Sequence, residues 1–525
     1  MIRCGLLLGT MIAGVSLGQA AHASFADVKR AFDTGQYFTS ARMAFNDANH
    51  AENRAEKAMS YAWTTHGLVK AGLDQSALYF FLKTIELQDR PALKKVLELA
   101  PRLMERTGSD LIRMYLSQYT RVEDYPASAK NAFHFSQTKD QLLKGQYENV
   151  IKSAQQVQKG SSFYPYALQM KATAEVMVRK NEDALRDFKE CAKQSDLADD
   201  DLDDSDSSMN RKWSALRRDA VSDLQSRCLA GQARIHYQSG NYDEADRLYD
   251  RIPKSSFVWT DTLFEHAWST FAKEEYNRTL GKLVSYKSPN LRFNFIPEVD
   301  RLVAQSYYSL CLYDDALKVV DDAKKEYEEV MREVHTFYQA NKSNYRVMYS
   351  MGREALSSKL HTDRKLYRFF NRFVRAPGFQ SLAISQERIA AERIAIQRID
   401  AARPETKTGI TEGFPGFLST VLDWRNSSIE ILGGVYVNNS IIDYYNQLVE
   451  NIEKTNFLKI DILGQMKRKL VAPEEASTEE RSRGNRIPVR RNYQMLWTFN
   501  GEFWNDEIGD YVFALDSECG KEEAK

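Results

Sequence analysis

The sequence predicts an all-α protein: a helical-repeat solenoid followed by a long-helix C-terminal domain with a small terminal β-hairpin. Three observations predict it. Gly35, Gly72, Gly108 and Gly145 stand 37, 36 and 37 residues apart. Each closes one amphipathic stretch before the next begins, the mark of stacked helical repeats. The stretch from about Asp315 to Ala401 is almost free of Gly and Pro and rich in strong helix formers. The region after residue 486 turns aromatic around Asn500-Gly501, a dipeptide suited to a two-residue hairpin turn.

A helix commonly ends on a residue in the left-handed conformation, where glycine escapes the penalty on a β-carbon. A glycine recurring at this period therefore reads as the corner between two antiparallel helices. The register persists where glycine is lost: Arg179 follows Gly145 by 34 residues, Gly240 follows by a further 61, and Glu274 and Cys311 follow at 34 and 37. Residues around the corners agree. Gly35-Gln36-Tyr37, Gly145-Gln146-Tyr147 and Gly240-Asn241-Tyr242 share the form Gly-polar-Tyr. Ala77 and Phe81 follow Gly72, Ala184 and Phe188 follow Arg179, Ala245 and Tyr249 follow Gly240, and Ala316 follows Tyr313. This pattern resembles the tetratricopeptide (TPR) repeat over roughly residues 25 to 325. The resemblance implies that the small residue lets two helices approach while the aromatic and the later apolar residue fill the gap. The early Trp and closing Pro of that family are mostly missing, and several spacings exceed its period of about 34 residues. The repeats are therefore divergent, with longer turns; HEAT-type repeats are the alternative at this period.

Residues 1–23 read as a secretory signal. Arg3 is basic, Gly5 to Gly18 is apolar but short for a bilayer span, and Ala21-His22-Ala23 is an A-x-A cleavage site. Cys4 precedes the apolar run, which argues against a lipoprotein signal. No other stretch has membrane-spanning length. Lys and Arg number 72, as do Asp and Glu, so no global field favours nucleic acid or anionic lipid. The expected location is the periplasm, with secretion as the alternative. Export permits disulfides, and a bridge between Cys191 and Cys228 suits antiparallel helices on either side of an insertion. The alternative is that Cys191 and Cys311 are small apolar residues on packed faces. No C-x-x-C and no Cys/His clustering suggests a metal or other cofactor. The insertion, about 195–210, holds Asp196, Asp199, Asp200, Asp201, Asp203, Asp204 and Asp206. Asp199-x-Asp201-x-Asp203 matches the start of a calcium loop. Asp204 then stands where Gly is required and Asn210 where Glu is required, so a solvated acidic loop is expected.

The domain plan is a solenoid over 24–325, a long helical hairpin or arm over 326–405, and a helical domain over 406–470. The arm pairs two long helices joined near Pro377, with its base capping the stack. The helical domain starts with a helix from Phe417 to about Leu432, stopped by Gly433-Gly434, and continues as a helix pair over Asn438 to Leu470. Residues 471–486 read as a flexible loop. Residues 487–525 read as the hairpin and tail, either capping the helical domain or docking on a partner.

In the TPR register the first helices of each repeat line the concave face. Carried onto this sequence, that face holds Arg234 and Tyr237, then Phe264, Trp268 and Phe271, then Arg301, Gln305 and Tyr308. An aromatic stripe edged with Arg suits an extended or helical peptide. The same spacing also fits ordinary core, or burial under C-terminal helices that fold back. There is no G-x-S-x-G, no phosphate-binding loop and no H-E-x-x-H. His66, His134, His236 and His266 are isolated within helical patterns. Glu329, Glu387 and Glu392 lie in charged amphipathic helices and are expected to lack the apolar pocket that raises a carboxyl pKa. The expected function is non-enzymatic: an exported scaffold or adaptor for protein–protein contacts in a cell-envelope assembly. The architecture resembles periplasmic TPR proteins linked to secretion, envelope biogenesis or gliding motility. The alternatives are a peptidoglycan-active hydrolase carried by the solenoid, and a polysaccharide-binding module stacking sugars on Trp268 and the terminal tryptophans.

Overall fold

All eight expected corners turn through positive φ: Gly35, Gly72, Gly108, Gly145 and Gly240, and also Arg179 (62°), Glu274 (61°) and Cys311 (58°). Seven of them share one pair of hydrogen bonds. The corner amide donates to the carbonyl three residues back, and the next amide donates to the carbonyl five residues before itself. Examples are Gly35 to Phe32 with Gln36 to Ala31, and Cys311 to Tyr308 with Leu312 to Tyr307. This is the Schellman closure, which satisfies carbonyls that the ending helix leaves open.

The computed structural model describes residues 25–193, 208–291, 293–357, 364–402, 413–471, 495–496, 503–504 and 506–519. The expected signal segment, most of the acidic insertion, all but the first residue of the 471–486 loop, and Asn500-Gly501 lie outside these. The described residues form twenty-one α-helices. In chain order they are α1 Phe25–Asp33, α2 Tyr37–His50, α3 Arg54–Lys70, α4 Asp74–Leu87, α5 Arg90–Leu97, α6 Ala100–Thr107, α7 Ser109–Tyr119, α8 Lys130–Leu143, α9 Tyr147–Ala154, α10 Tyr164–Met177 and α11 Asn181–Lys193. Next come α12 Ser208–Gln238, α13 Tyr242–Asp250, α14 Trp259–Ala272, α15 Tyr276–Val284, α16 Glu298–Ser309 and α17 Tyr313–Asn341. The last are α18 Tyr345–Ser357, α19 Lys365–Val374, α20 Pro377–Ala401 and α21 Gly413–Val471. The fold is all-α, and among the described residues no helix is long and apolar enough to cross a membrane.

The chain divides into two contact units: Met1–Thr107 with Glu387–Asn426, and Gly108–Gln386 with Ser427–Lys525. The division therefore falls inside the expected 24–325 solenoid.

In the first unit α2 packs on α3 and α3 on α4. Gly67 and Ala41 allow the first contact: a β-carbon on Gly67 would stand 2.8 Å from both the Ala41 β-carbon and the Tyr37 carbonyl. The start of α21 supplies Phe414 and Phe417, whose rings lie 5.0 and 4.7 Å from Phe45. Glu392 on α20 is buried, and it accepts from the amides of Gln75 (2.6 Å) and Ser76 (3.0 Å) and from the Ser76 hydroxyl (2.9 Å). These amides are open donors at the first turn of α4, where a carboxylate is favoured. Burial nevertheless pushes the Glu392 carboxyl up to about 7, against those hydrogen bonds. The expectation that Glu392 lacks a raising environment is thus corrected. Its own helix is charged, but helix packing removes it from water.

In the second unit each helix from α7 to α17 packs on its sequence neighbour, and α8, α10, α12, α14 and α16 also touch in that order. The small residues after the corners, Ala184, Ala245, Thr279 and Ala316, are fully buried. Gly231 of α12 accepts the face of Phe188, whose ring atoms would lie 2.6–2.7 Å from an added β-carbon. Cys191 on α11 and Cys228 on α12 form a disulfide across the insertion.

Three expectations change in this unit. The arm expected over 326–405 carries the described helices α17 to α20; Pro377 does open one of them, but the preceding helical stretch is broken after Asn341. Gly433-Gly434 does not stop a helix, because α21 runs through it for 59 residues. The pair is there for close packing: β-carbons would meet the Tyr349 ring at 2.2 Å and the Tyr345 carbonyl at 2.0 Å. Cys311 is not a lone packed thiol but is bonded to Cys519.

The tail itself lies on α15 and the end of α16. The Phe513 amide donates to the Asn277 carbonyl, and the Asn277 carboxamide both donates to and accepts from the Leu515 backbone at 3.0 Å. The Glu518 amide donates to the Leu310 carbonyl. Gly281 makes room for this, since a β-carbon there would stand 1.9 Å from the Tyr511 carbonyl oxygen. The short strand pair joins Met495–Leu496 to Tyr511–Val512 in parallel; the hairpin expected around Asn500-Gly501 lies outside the described residues.

Candidate interaction face

The eight residues expected to face inward come from α12, α14 and α16, which the packing brings side by side. Their side chains are half-buried, apart from Arg234, which is exposed. On α14, spacings of four and three put Phe264, Trp268 and Phe271 on one side, in an edge-to-face series. Ring centroids are 6.4 Å apart for Phe264 and Trp268, 5.5 Å for Trp268 and Phe271, and 5.3 Å for Phe271 and Tyr276. Such pairs favour a fixed aromatic surface. Each ring rests partly on the core formed by Ala267, Leu280, Leu302 and their neighbours. The stripe is therefore both outer core and surface.

The structure divides the eight residues. Arg234 is committed to Glu265, with a two-point contact of 2.8 and 2.6 Å, the fork geometry that suits guanidinium to carboxylate. Tyr249 also donates to Glu265, at 2.9 Å. Tyr237 packs on Tyr242 at 5.4 Å. On α16 the long helix α21 intervenes. Gln465 donates to the Tyr308 hydroxyl at 3.4 Å, Asn451 donates to the Pro297 carbonyl at 3.0 Å, and Lys459 pairs with Asp321 at 2.5 Å. Leu458, Ile462 and Met466 of α21 close over Ala304, Ala316 and Val320. Gln305 is half-buried on the same helix, and Arg301 keeps its Nε buried without a hydrogen-bond partner among the described residues. The stripe thus stays half-open along α12 and α14, while helices from the same chain cover its continuation at α16.

Beside the stripe lies a buried charge cluster that the sequence reading passed over, having taken His266 as an isolated packed residue. His266 Nε2 lies 2.5 Å from Asp246, its Nδ1 3.3 Å from the Lys282 ammonium, and Lys273 donates to Asp246 at 2.9 Å. Asp246, His266 and Lys282 are nearly inaccessible to solvent. Burial lowers the His266 pKa and Lys282 lowers it further, against the pull of Asp246. Burial would raise Asp246, but His266 and the two lysines outweigh it and hold that carboxyl far below its ordinary value. Asp246, Asp250 and His266 offer ligand atoms within 4.8 Å of one another. Two ammonium groups already balance these carboxylates, which favours an internal ion-pair network over a divalent cation. The missed signal was register: Asp246, His266 and Lys282 lie 20 and 16 residues apart on three successive helices.

No protein-family model matches this chain, and no curated protein matches it at a significant level.

Proposed function

We propose that this chain is an exported, TPR-like scaffold that holds a protein partner of the cell envelope on the half-open face of α12 and α14. One observation carries the reading: Tyr237, Phe264, Trp268 and Phe271 stay half-exposed side by side on stacked helices, where aromatic anchors are most effective in binding. The shared corner geometry supports a divergent TPR solenoid. Two disulfides in one chain support an oxidising compartment such as the periplasm. The face grips through its aromatics, because Arg234 is already engaged with Glu265.

The test is site-specific photo-crosslinking from position 268 in intact cells, followed by identification of the adduct. A discrete protein adduct is expected, and Trp268→Ala should weaken capture of that partner by about tenfold or more. A complex indifferent to Trp268→Ala would remove the face from consideration. Release of muropeptides from purified sacculi, or sedimentation with glycan in the absence of any protein partner, would replace the adaptor reading with one of its alternatives.

A further inference from the structure

A cavity of about 380 Å³ opens between α15, α16, α17 and α19, lined by residues of the core on which the aromatic stripe rests. Leu280, Leu283, Val299 and Val303 line it with hydrocarbon, and Phe513 of the tail adds an aromatic wall. The polar lining is unequal. Its acceptors are engaged: Glu326 takes Arg368 at 2.8 Å, and Asp300 is hydrogen-bonded by the Tyr327 hydroxyl, which also reaches the Pro297 carbonyl at 2.8 Å. Two of its donors make no hydrogen bond among the described residues. Asn294 Nδ2 is buried without a partner, and the exposed Lys287 ammonium acts on the Asp300 carboxylate through space. A buried donor left unpaired in a native fold calls for an explanation. A concave apolar site with a few convergent polar groups is the ordinary form of a small-molecule site.

We propose that this cavity binds an amphipathic anion. Its apolar chain lies between α15 and α16, and its carboxylate or phosphate head accepts from Asn294 Nδ2 and pairs with Lys287. The tail completes the site: the Phe513 backbone is held on Asn277, and Cys519 is fixed to Cys311, so the wall does not depend on the ligand for its place.

The experiment titrates the purified full chain with decanoate, decyl phosphate and decanol, by calorimetry and by thermal shift. Saturable binding of at least one anion is expected, with decanol about tenfold weaker; the tighter anion identifies the head group. Lys287→Glu changes an exposed side chain and should cost the anions about tenfold while leaving decanol unchanged. Val303→Trp fills the cavity and should abolish binding of all three. Asn294→Leu removes the donor at similar volume and separates loss of the site from loss of the fold. The proposal is overturned if neither anion saturates, if decanol binds as well as decanoate, or if Lys287→Glu and Asn294→Leu both leave the affinities unchanged.

Discussion

The early and late corners of the chain have the same shape and different chemistry. Gly35 and Gly72 turn through φ of 78° with nothing within 4 Å of where a β-carbon would stand. Arg179, Glu274 and Cys311 make the same turn, with the same pair of hydrogen bonds, while carrying a side chain in the left-handed region. Each of those three accepts a penalty of roughly 1 kcal/mol that glycine avoids. The later region also holds the extra ties: two disulfides, the ion-pair network at His266 and the tail on α15. The geometry of the corner thus belongs to the helix ending, and the residue placed there only sets how strained the corner is.

Cutting the late ties is the strongest way to break this comparison. Replacing Cys311 and Cys519 by Ser together should lower stability by about 5 kcal/mol, since the bond spans 208 residues. Urea melts of the double variant check it, with a lower midpoint and a steeper slope expected, because the unfolded chain without the bridge exposes more surface. A smaller effect belongs to the early region. Glu392 has a folded pKa near 7, above its unfolded value, so the folded state binds the extra proton. Its contribution is fully present below about pH 4.5 and is lost as pH rises through about 7, on the order of 3 kcal/mol. Glu392→Gln should flatten that slope in melts across the window; an unchanged slope would place the carboxyl's pKa at its ordinary value. The smallest effect sharpens the comparison directly. Gly35→Ala should lose about 1 kcal/mol with no clash to blame, whereas Glu274→Gly should gain about 0.5 kcal/mol. Changes of opposite sign in circular-dichroism melts would isolate backbone strain as the difference between the two kinds of corner.

The corners were legible because the signal is local. A helix stop, a special φ and an aromatic two residues later all sit within a few positions, and the period repeats them. That locality extended to Arg179, Glu274 and Cys311, where register alone found the turn. Gly433-Gly434 misled for the opposite reason. A glycine pair marks either a stop or a close approach, and only the position of Tyr345 and Tyr349 on α18 decides between them. Glu392 and Cys519 were opaque because their partners are remote: Gln75 is 317 residues from Glu392, and Cys311 is 208 from Cys519. The inward stripe was found as residues but not as a surface. Nothing near Tyr308 in the sequence announces Gln465, and nothing near His266 announces Lys282.

The tail on α15 has a consequence for the order of events along the chain. Asn277 and Gly281 complete their surroundings only when residues 511–515 arrive, more than 200 positions downstream. Until then α15 presents a bare groove shaped for a backbone, bordered by Cys311 with its thiol unspent. Any chain interrupted between these points carries an open acceptor surface in the middle of its helices. Completion is therefore written into the molecule as a physical state, closed or unclosed, that a protease or a folding helper can read.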